Sequence, residues 1–165
     1  MDLIKFENFS KQCSKNLPAT IDEILEGRNG KVVHAIGFIT TDDFYGFYLT
    51  WNYEDCDIYE YYDWEEGLYP EFLYQPLVEI VDACKEIDFT KKSNEKWGFA
   101  EELLTVIEES IKQIPDEIFH KNNYKREEIL FFATMSDGDY IQEMLDTSVK
   151  MFNPAETIKA YREEI

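Results

Sequence analysis

The sequence has few of the residues that build metal, redox or catalytic centres. It contains two histidines and three cysteines, and Cys13, Cys56 and Cys84 form no CxxC pair. An odd number of widely spaced thiols predicts neither a disulfide framework nor a zinc site. His34 and His120 lie far apart in sequence, so spacing gives neither one a second ligand or a catalytic partner. The composition predicts no metal, no cofactor and reduced thiols, which is typical of a cytoplasmic chain.

Sequence motifs of enzymes are also missing. The chain has no GxGxxG, GxSxG or phosphate-binding P-loop pattern, so we predict no catalytic residues and no enzyme activity. Asp137-Gly138-Asp139 resembles the start of a calcium-binding loop, but Ser148 stands where such a loop needs its closing glutamate. We therefore interpret Ser136 and Asp137 as the cap of the following helix.

Long apolar runs and positive charges are scarce. No run approaches the roughly 20 apolar residues of a membrane-spanning helix, and the first residues lack the apolar centre of a signal peptide. The 35 acidic and 16 basic residues give a net charge of −19. This charge disfavours nucleic acid and anionic membranes as direct ligands. It favours a basic protein partner, although acidity that serves only solubility is the alternative.

The negative charge is concentrated between residues 32 and 84, which contain twelve carboxylates and no lysine or arginine. In the middle of this stretch, YEDCDIYEYYDWEE interleaves five aromatic rings with seven acids. Tyrosine and tryptophan suit either a core or a protein interface, but the interleaved acids resist burial. We predict a partly exposed binding face there. The candidate partner-binding residues are Asp55, Asp57, Tyr59, Glu60, Tyr61, Tyr62, Asp63, Trp64, Glu65 and Glu66.

The apolar patterns predict one α+β domain over residues 1–165, in which several helices pack on a small, mainly antiparallel sheet. A hairpin over about residues 31–53 supplies two strands, VVHAIGFIT and FYGFYLTWNY. Apolar residues lie on both faces of the first strand, which is typical of a strand covered on both sides. Gly46 in the second strand predicts a bulge or a close backbone approach. The run ILFFATM predicts an interior strand over about residues 128–135.

The helices are predicted from apolar spacing and from their end signals. Pro18 is expected to separate two short helices near the N-terminus. The longest predicted helix covers about residues 95–114, and Asn153-Pro154 begins the last one. Whether Ile58–Tyr62 forms a third strand stays open, because tyrosine favours strands whereas the neighbouring carboxylates resist burial.

The sequence resembles a family of small acidic bacterial proteins, some of which are similar to immunity proteins encoded beside polymorphic or contact-delivered toxins. The resemblance covers roughly residues 28–160 and implies a fold and a role but no catalytic residues. It is carried by IGFITTDDFYGFYLTWNYE, by Trp64 ahead of a helical middle, by Trp97-Gly98-Phe99, by ILFFATM running into Ser136-Asp137, and by Phe152-Asn153-Pro154.

The leading hypothesis is a cytoplasmic immunity protein that binds a secreted bacterial toxin stoichiometrically through the acidic, aromatic face. Toxin domains that act on nucleic acid present a basic cleft, which an acidic partner can occupy. The alternative is a regulatory inhibitor whose spaced carboxylates imitate DNA phosphates. A decoy of that kind would displace DNA from several unrelated basic proteins, whereas an immunity protein would be narrow in its choice.

Overall fold

The computed structural model describes residues 4–27, 30–53 and 58–164. One four-stranded sheet, in the order β3-β2-β1-β4, is packed by six helices among these residues. The strands are β1 (Ala35–Thr40), β2 (Phe47–Asn52), β3 (Glu66–Leu68) and β4 (Leu130–Met135). The helices are α1 (Glu7–Glu26), α2 (Gln75–Ala83), α3 (Asn94–Lys112), α4 (Asp116–His120), α5 (Ile141–Phe152) and α6 (Ala155–Glu164).

The sheet is mainly antiparallel, as predicted, but it also contains one parallel pair and is therefore mixed. β1 and β2 form the predicted antiparallel hairpin, and β2 pairs antiparallel with β3. β4 pairs with β1 in parallel, from Ala35 opposite Leu130 to Thr40 opposite Met135. A parallel neighbour needs a long crossover, and here the chain returns through α2, α3 and α4.

The sheet is covered on both faces, as the apolar residues of β1 predicted. All six β1 residues are buried. On one face, Ile36 and Phe38 join the main core, which α1, α3 and α5 complete. On the other face lies a second, smaller core to which Ile39 and Phe132 belong. The second core consists of Ala35, Ile39, Ile58, Tyr61, Leu130, Phe132, Leu145 and Val149.

β4 is fully buried although it lies at an edge of the sheet, because side chains of α5 and the residue after it satisfy its backbone. The backbone N–H of Phe131 donates to Oδ1 of Asn153 at 2.8 Å, and Nδ2 of Asn153 donates to the Phe131 carbonyl at 2.7 Å. Ser148 Oγ accepts from the Ala133 N–H at 2.8 Å and donates to the Ala133 carbonyl. An edge satisfied in this way offers no template for another strand.

Pro18 does not break the first helix, which corrects the prediction of two short helices. α1 runs through Pro18 as one helix of 20 residues. An internal proline costs roughly 3 kcal/mol, but the helix buries one continuous apolar stripe along its whole length. Asn16 Nδ2 also donates to the Gln12 carbonyl, and Thr20 Oγ1 donates to the Asn16 carbonyl. The stripe consists of Phe9, Cys13, Leu17, Ile21, Ile24 and Leu25.

The stretch Ile58–Asp63 forms 3₁₀ turns rather than the third strand left open above. A 3₁₀ turn repeats every three residues, so Ile58, Tyr61 and Trp64 all face the second core. A strand would instead have aligned every second residue. The third strand, β3, follows this segment and pairs with Leu49–Trp51 of β2.

A close contact at Gly37 gives the first testable prediction. Gly37 lies opposite Phe132, and a Cβ on Gly37 would be 2.4 Å from Cζ of that ring. Gly37→Ala is expected to lower the free energy of unfolding by about 1–3 kcal/mol, because the buried Phe132 ring must move. Gly98→Ala is the matched control, since no atom lies within 4 Å of its added Cβ in α3. There the helix should gain about 0.5–1 kcal/mol. Urea unfolding measures both, and equal effects would contradict the packing at Gly37.

Candidate protein-binding surface

The turn between β1 and β2 is held in an unusual backbone conformation. Phe44 has a φ of 58°, in the left-handed region that bulky side chains rarely adopt. Its ring is fully buried and contacts Phe89 and Phe99, with centroid distances of 6.0 and 5.3 Å. Burial of this ring in the main core therefore offsets the backbone strain. The next residue, Tyr45, is 40% exposed.

Gly46 completes the turn and confirms the predicted close backbone approach. Its φ is 93°, and an added Cβ would lie 2.6 Å from Cδ2 of Tyr74. Thr40 Oγ1 donates to the Gly46 carbonyl at 2.7 Å, which joins the two ends of the turn. A side chain at position 46 would displace Tyr74.

A buried lysine also holds the β1–β2 turn in place. Lys96, in the first turn of α3, is 0% exposed, and its Nζ donates to Asp42 Oδ1 at 2.8 Å. The Asp139 N–H also donates to Asp42 Oδ1, and the Asp139 carboxylate lies 4.0 Å from the ammonium group. The contact joins the β1–β2 turn, the start of α3 and the loop after β4.

This contact also corrects the interpretation of Asp137-Gly138-Asp139 as a helix cap. α5 begins at Ile141 after Tyr140, and no side chain accepts a capping hydrogen bond there. Gly138 has a φ of 106°, and a Cβ on it would lie 2.0 Å from Asp42 Oδ1. The absence of a side chain at Gly138 therefore leaves room for the Asp42 carboxylate, which lies against this segment.

Tyr45 in the β1–β2 turn and Tyr48 in β2 each pair with a tyrosine that follows β3. Tyr45 and Tyr74 meet edge to face with centroids 6.3 Å apart, and both are at least 40% exposed. Tyr48 and Tyr69 stack at 5.2 Å, and Tyr69 is 80% exposed. The carboxylate of Asp82 raises the pKa of Tyr45, and burial raises that of Tyr48. Both shifts favour the neutral hydroxyl group of these two rings.

Of the ten predicted site residues, Tyr61 and Trp64 pack against the sheet. Tyr61 is 7% exposed, and its hydroxyl donates to the Met135 carbonyl at 2.5 Å. Trp64 is half-buried and meets Phe132 edge to face at 5.7 Å. The predicted exposure of Tyr61 is therefore wrong, because its ring belongs to the second core. Burial also raises the pKa of Tyr61.

The other predicted residues divide by exposure. Tyr62 is 70% exposed and contacts Tyr61 edge to face at 5.9 Å. Glu60, Asp63 and Glu65 are exposed, and Glu66 is half-buried in β3. Asp55, Asp57 and the side chain of Tyr59 lie outside the part of the chain that is described.

We use the name tyrosine surface for Tyr45, Tyr48, Tyr62, Tyr69 and Tyr74. Sequence reasoning identified Tyr62 as a site residue and missed the other four. Tyr45 and Tyr48 lie on the predicted hairpin, but nothing local shows that Tyr69 and Tyr74 return to pack on them. The one feature of the sequence that could have indicated Tyr69 and Tyr74 is the residue type itself, since tyrosine has an apolar ring with a polar tip.

Other kinds of site find little support in the described residues. No group of three or more histidine, cysteine or acidic side chains is arranged to hold a metal ion among residues 4–27, 30–53 and 58–164. No helix in those ranges is long and apolar enough to cross a membrane. Cys13 and Cys84 are buried free thiols, and burial raises the pKa of Cys13 to about 12.

These features define the class of protein as α+β, with a mixed four-stranded sheet and an exposed tyrosine surface in an acidic region. The chain belongs to the family described as a domain of unknown function (DUF4303), which matches residues 49–154, well over half of its length. Three of the five tyrosines, Tyr62, Tyr69 and Tyr74, lie within the matched region. No curated protein and no solved structure matches the chain. A family of unknown function agrees with the predicted membership, and the immunity role stays a proposal.

Proposed function

We propose that the protein is a cytoplasmic immunity protein, which neutralises a basic, secreted bacterial toxin by direct stoichiometric binding through the tyrosine surface. The observation that carries this proposal is the set of partly exposed tyrosines in an acidic region. Exposed aromatic patches of this kind are typical of protein–protein interfaces. The resemblance of the sequence to a family with some immunity-like members favours the same role.

The geometry of the rings suits a binding face. Tyrosine buries a large area at a low cost in conformational entropy, since it has two side-chain torsions. Tyr45 and Tyr74 are further restrained by their mutual contact and by the fixed backbone at Gly46. A restrained ring loses less freedom on binding, which favours affinity.

The carboxylates beside these rings remain available to a partner. Within the described part of the chain, no salt bridge involves Glu60, Asp63 or Glu65. Unpaired acids around a ring-rich centre attract lysine and arginine side chains and orient the encounter. The exposed rings can also bind such cations through their faces.

Co-expression tests the proposed function. Each neighbouring gene product is produced with and without this protein, and growth and co-purification are measured. We expect one neighbour to be toxic alone, to be tolerated when this protein is present, and to purify with it in a fixed ratio. Rescue by none of them, together with no complex, would contradict the proposal. Displacement of DNA from several unrelated basic proteins would instead support the decoy hypothesis.

Charge reversal separates the role of the acids from that of the rings. The double variant Glu60→Lys and Asp63→Lys is expected to slow association with the partner about tenfold and to flatten its salt dependence. The dissociation rate should change little, because rim charges act mainly on the encounter. Stopped-flow mixing at several salt concentrations measures both rates.

A matched control places the same changes elsewhere. Glu143→Lys and Asp146→Lys have the same types and spacing on the exposed face of α5. We expect a clearly smaller effect there. Equal slowing by both double variants would show that total charge, rather than the tyrosine surface, governs association.

A further inference from the structure

Two adjoining cavities form a groove between α1 and α2. Their volumes are about 420 and 360 Å³. Asn8, Pro76 and Glu79 line both of them, so the groove is continuous. Phe72 and Ile80 form an apolar floor that packs against the main core.

One wall of the groove is a ladder of amide side chains on α1. Asn8, Gln12 and Asn16 follow one another at four-residue intervals. At about 1.5 Å per residue, successive Cα atoms of this set are ~6 Å apart along the helix. An extended peptide repeats its backbone groups every two residues, about 6.6 Å. The backbone positions that carry these side chains therefore match the repeat of an extended chain to within about 1 Å per step, while the amides of Gln12 and Asn16 are in contact with each other.

The ladder retains hydrogen-bonding capacity. Asn16 Nδ2 donates to the Gln12 carbonyl at 2.9 Å and to Gln12 Oε1 at 3.3 Å. Gln12 Nε2 and Asn16 Oδ1 have no hydrogen-bond partner in the described ranges. A donor and an acceptor on adjacent steps can bind the carbonyl and N–H groups of a peptide backbone.

The charge of the groove indicates what kind of peptide fits. Glu71, Glu79 and Glu86 line it. Lys5 is the only basic residue among the described residues that line it, and its Nζ already lies 3.1 Å from Glu102 Oε2. A cationic segment would gain from these carboxylates, whereas an acidic one would be repelled.

We infer that this amide groove binds an extended, cationic segment of a partner protein. Phe72 and Gln75, which line the groove, flank Tyr74 in sequence, so one partner can contact the tyrosine surface and place an extended arm in the groove. The inference rests on the proposed function only for the identity of the partner, the toxin. The groove itself is a site distinct from the five tyrosines.

A peptide titration tests the groove without the partner. The probe is a capped peptide of alternating lysine and threonine, about eight residues long, so that it is cationic and favours an extended form. We expect saturable binding to the full chain at about 0.15 M salt. Amide signals of α1 and of residues 71–80 should shift in NMR spectra. The mirror-image peptide of D-residues has the same charge and should bind at least about tenfold more weakly.

Substitutions then locate the site. Gln12→Arg places a positive charge and extra bulk in the groove and should weaken binding of the probe at least about tenfold. Gln113→Arg makes the same change at an exposed position after α3 and should leave binding unchanged. Equal binding of the L- and D-peptides, or equal effects of the two substitutions, would contradict binding in the groove. Either result would show that the peptide is held by charge attraction alone.

The two proposals fail in different ways. If no toxin is neutralised but the L-peptide binds with the expected selectivity, the proposed function is contradicted and peptide binding in the groove is supported. If a toxin is bound equally well by wild type and Gln12→Arg but lost by Tyr74→Ala, the groove plays no part and the tyrosine surface stands. Shifts confined to the tyrosine surface in the titration would also refute the groove.

Discussion

Asp42→Ala is expected to lower the free energy of unfolding by about 3–5 kcal/mol, because it leaves a buried ammonium group without its closest counter-charge. Lys96 is completely buried, whereas the side chain of Asp42 is 34% exposed. Removing the exposed partner should therefore cost more than removing the buried one. Lys96→Met leaves a carboxylate that water can reach, and its unfolding free energy should fall by less than that of Asp42→Ala.

Chemical unfolding of both single variants and the double variant measures this coupling. The double variant should be more stable than Asp42→Ala alone, since it no longer buries an unpaired charge. Asp43→Ala, at the neighbouring exposed carboxylate, is the control and should cost less than about 1 kcal/mol. Equal stability of Asp42→Ala and wild type would contradict the role of the ion pair.

The same pair predicts a dependence on pH. Burial opposes the charge of Asp42, but the hydrogen bonds from Lys96 and from the Asp139 N–H outweigh it and lower the pKa of this carboxyl. Stability from a lowered carboxyl pKa is complete above its unfolded value, about 3.9, and is lost as the pH falls through the folded value. Wild type should therefore lose stability below about pH 4 more steeply than the double variant.

Tyr62→Ala and Tyr61→Ala are expected to have opposite effects, although the residues are neighbours in sequence. Tyr62 is 70% exposed, so its loss should leave stability nearly unchanged and weaken partner binding by about 2 kcal/mol or more if it is a hot spot. Tyr61 is buried against the second core and bonds the Met135 carbonyl. Its loss should cost about 3–5 kcal/mol of stability.

Thermal melts run beside binding titrations distinguish the two residues. Tyr61→Phe keeps the ring and removes only the hydroxyl, so it should recover most of the stability lost in Tyr61→Ala. Trp64→Ala should also destabilise, because the ring packs on Phe132. A large drop in melting temperature for Tyr62→Ala, with affinity unchanged in the folded fraction, would place Tyr62 in the core and remove it from the binding face.

Local patterns in the sequence predicted the hairpin, helix α3 and the buried strand β4. The parallel pairing of β1 with β4 was not predictable, because it joins residues that lie about 95 positions apart with no local signal. At Pro18 the local signal was present but gave the wrong prediction. Proline normally ends a helix, yet α1 continues through it because the helix buries one continuous apolar stripe.

The candidate site was predictable in composition and not in orientation. The acids and rings of residues 58–66 were recognised. Which of them point toward the sheet depends on whether the backbone repeats every two residues, as in a strand, or every three, as in a 3₁₀ turn. A 3₁₀ period of three puts Tyr61 and Trp64 on the sheet and leaves Tyr62 in solvent, which an assignment as strand cannot reproduce. Tyr69 and Tyr74 were missed because their rings complete pairs with Tyr45 and Tyr48 only after the chain folds back.

Hydrogen–deuterium exchange of a purified complex tests the central claim most directly, since it locates the surface that the proposed toxin would cover. The account predicts slower exchange on binding at residues 44–48 and 60–75, with α5 and α6 unchanged. Protection confined to α5 and α6, with no change at the tyrosine surface, would contradict it.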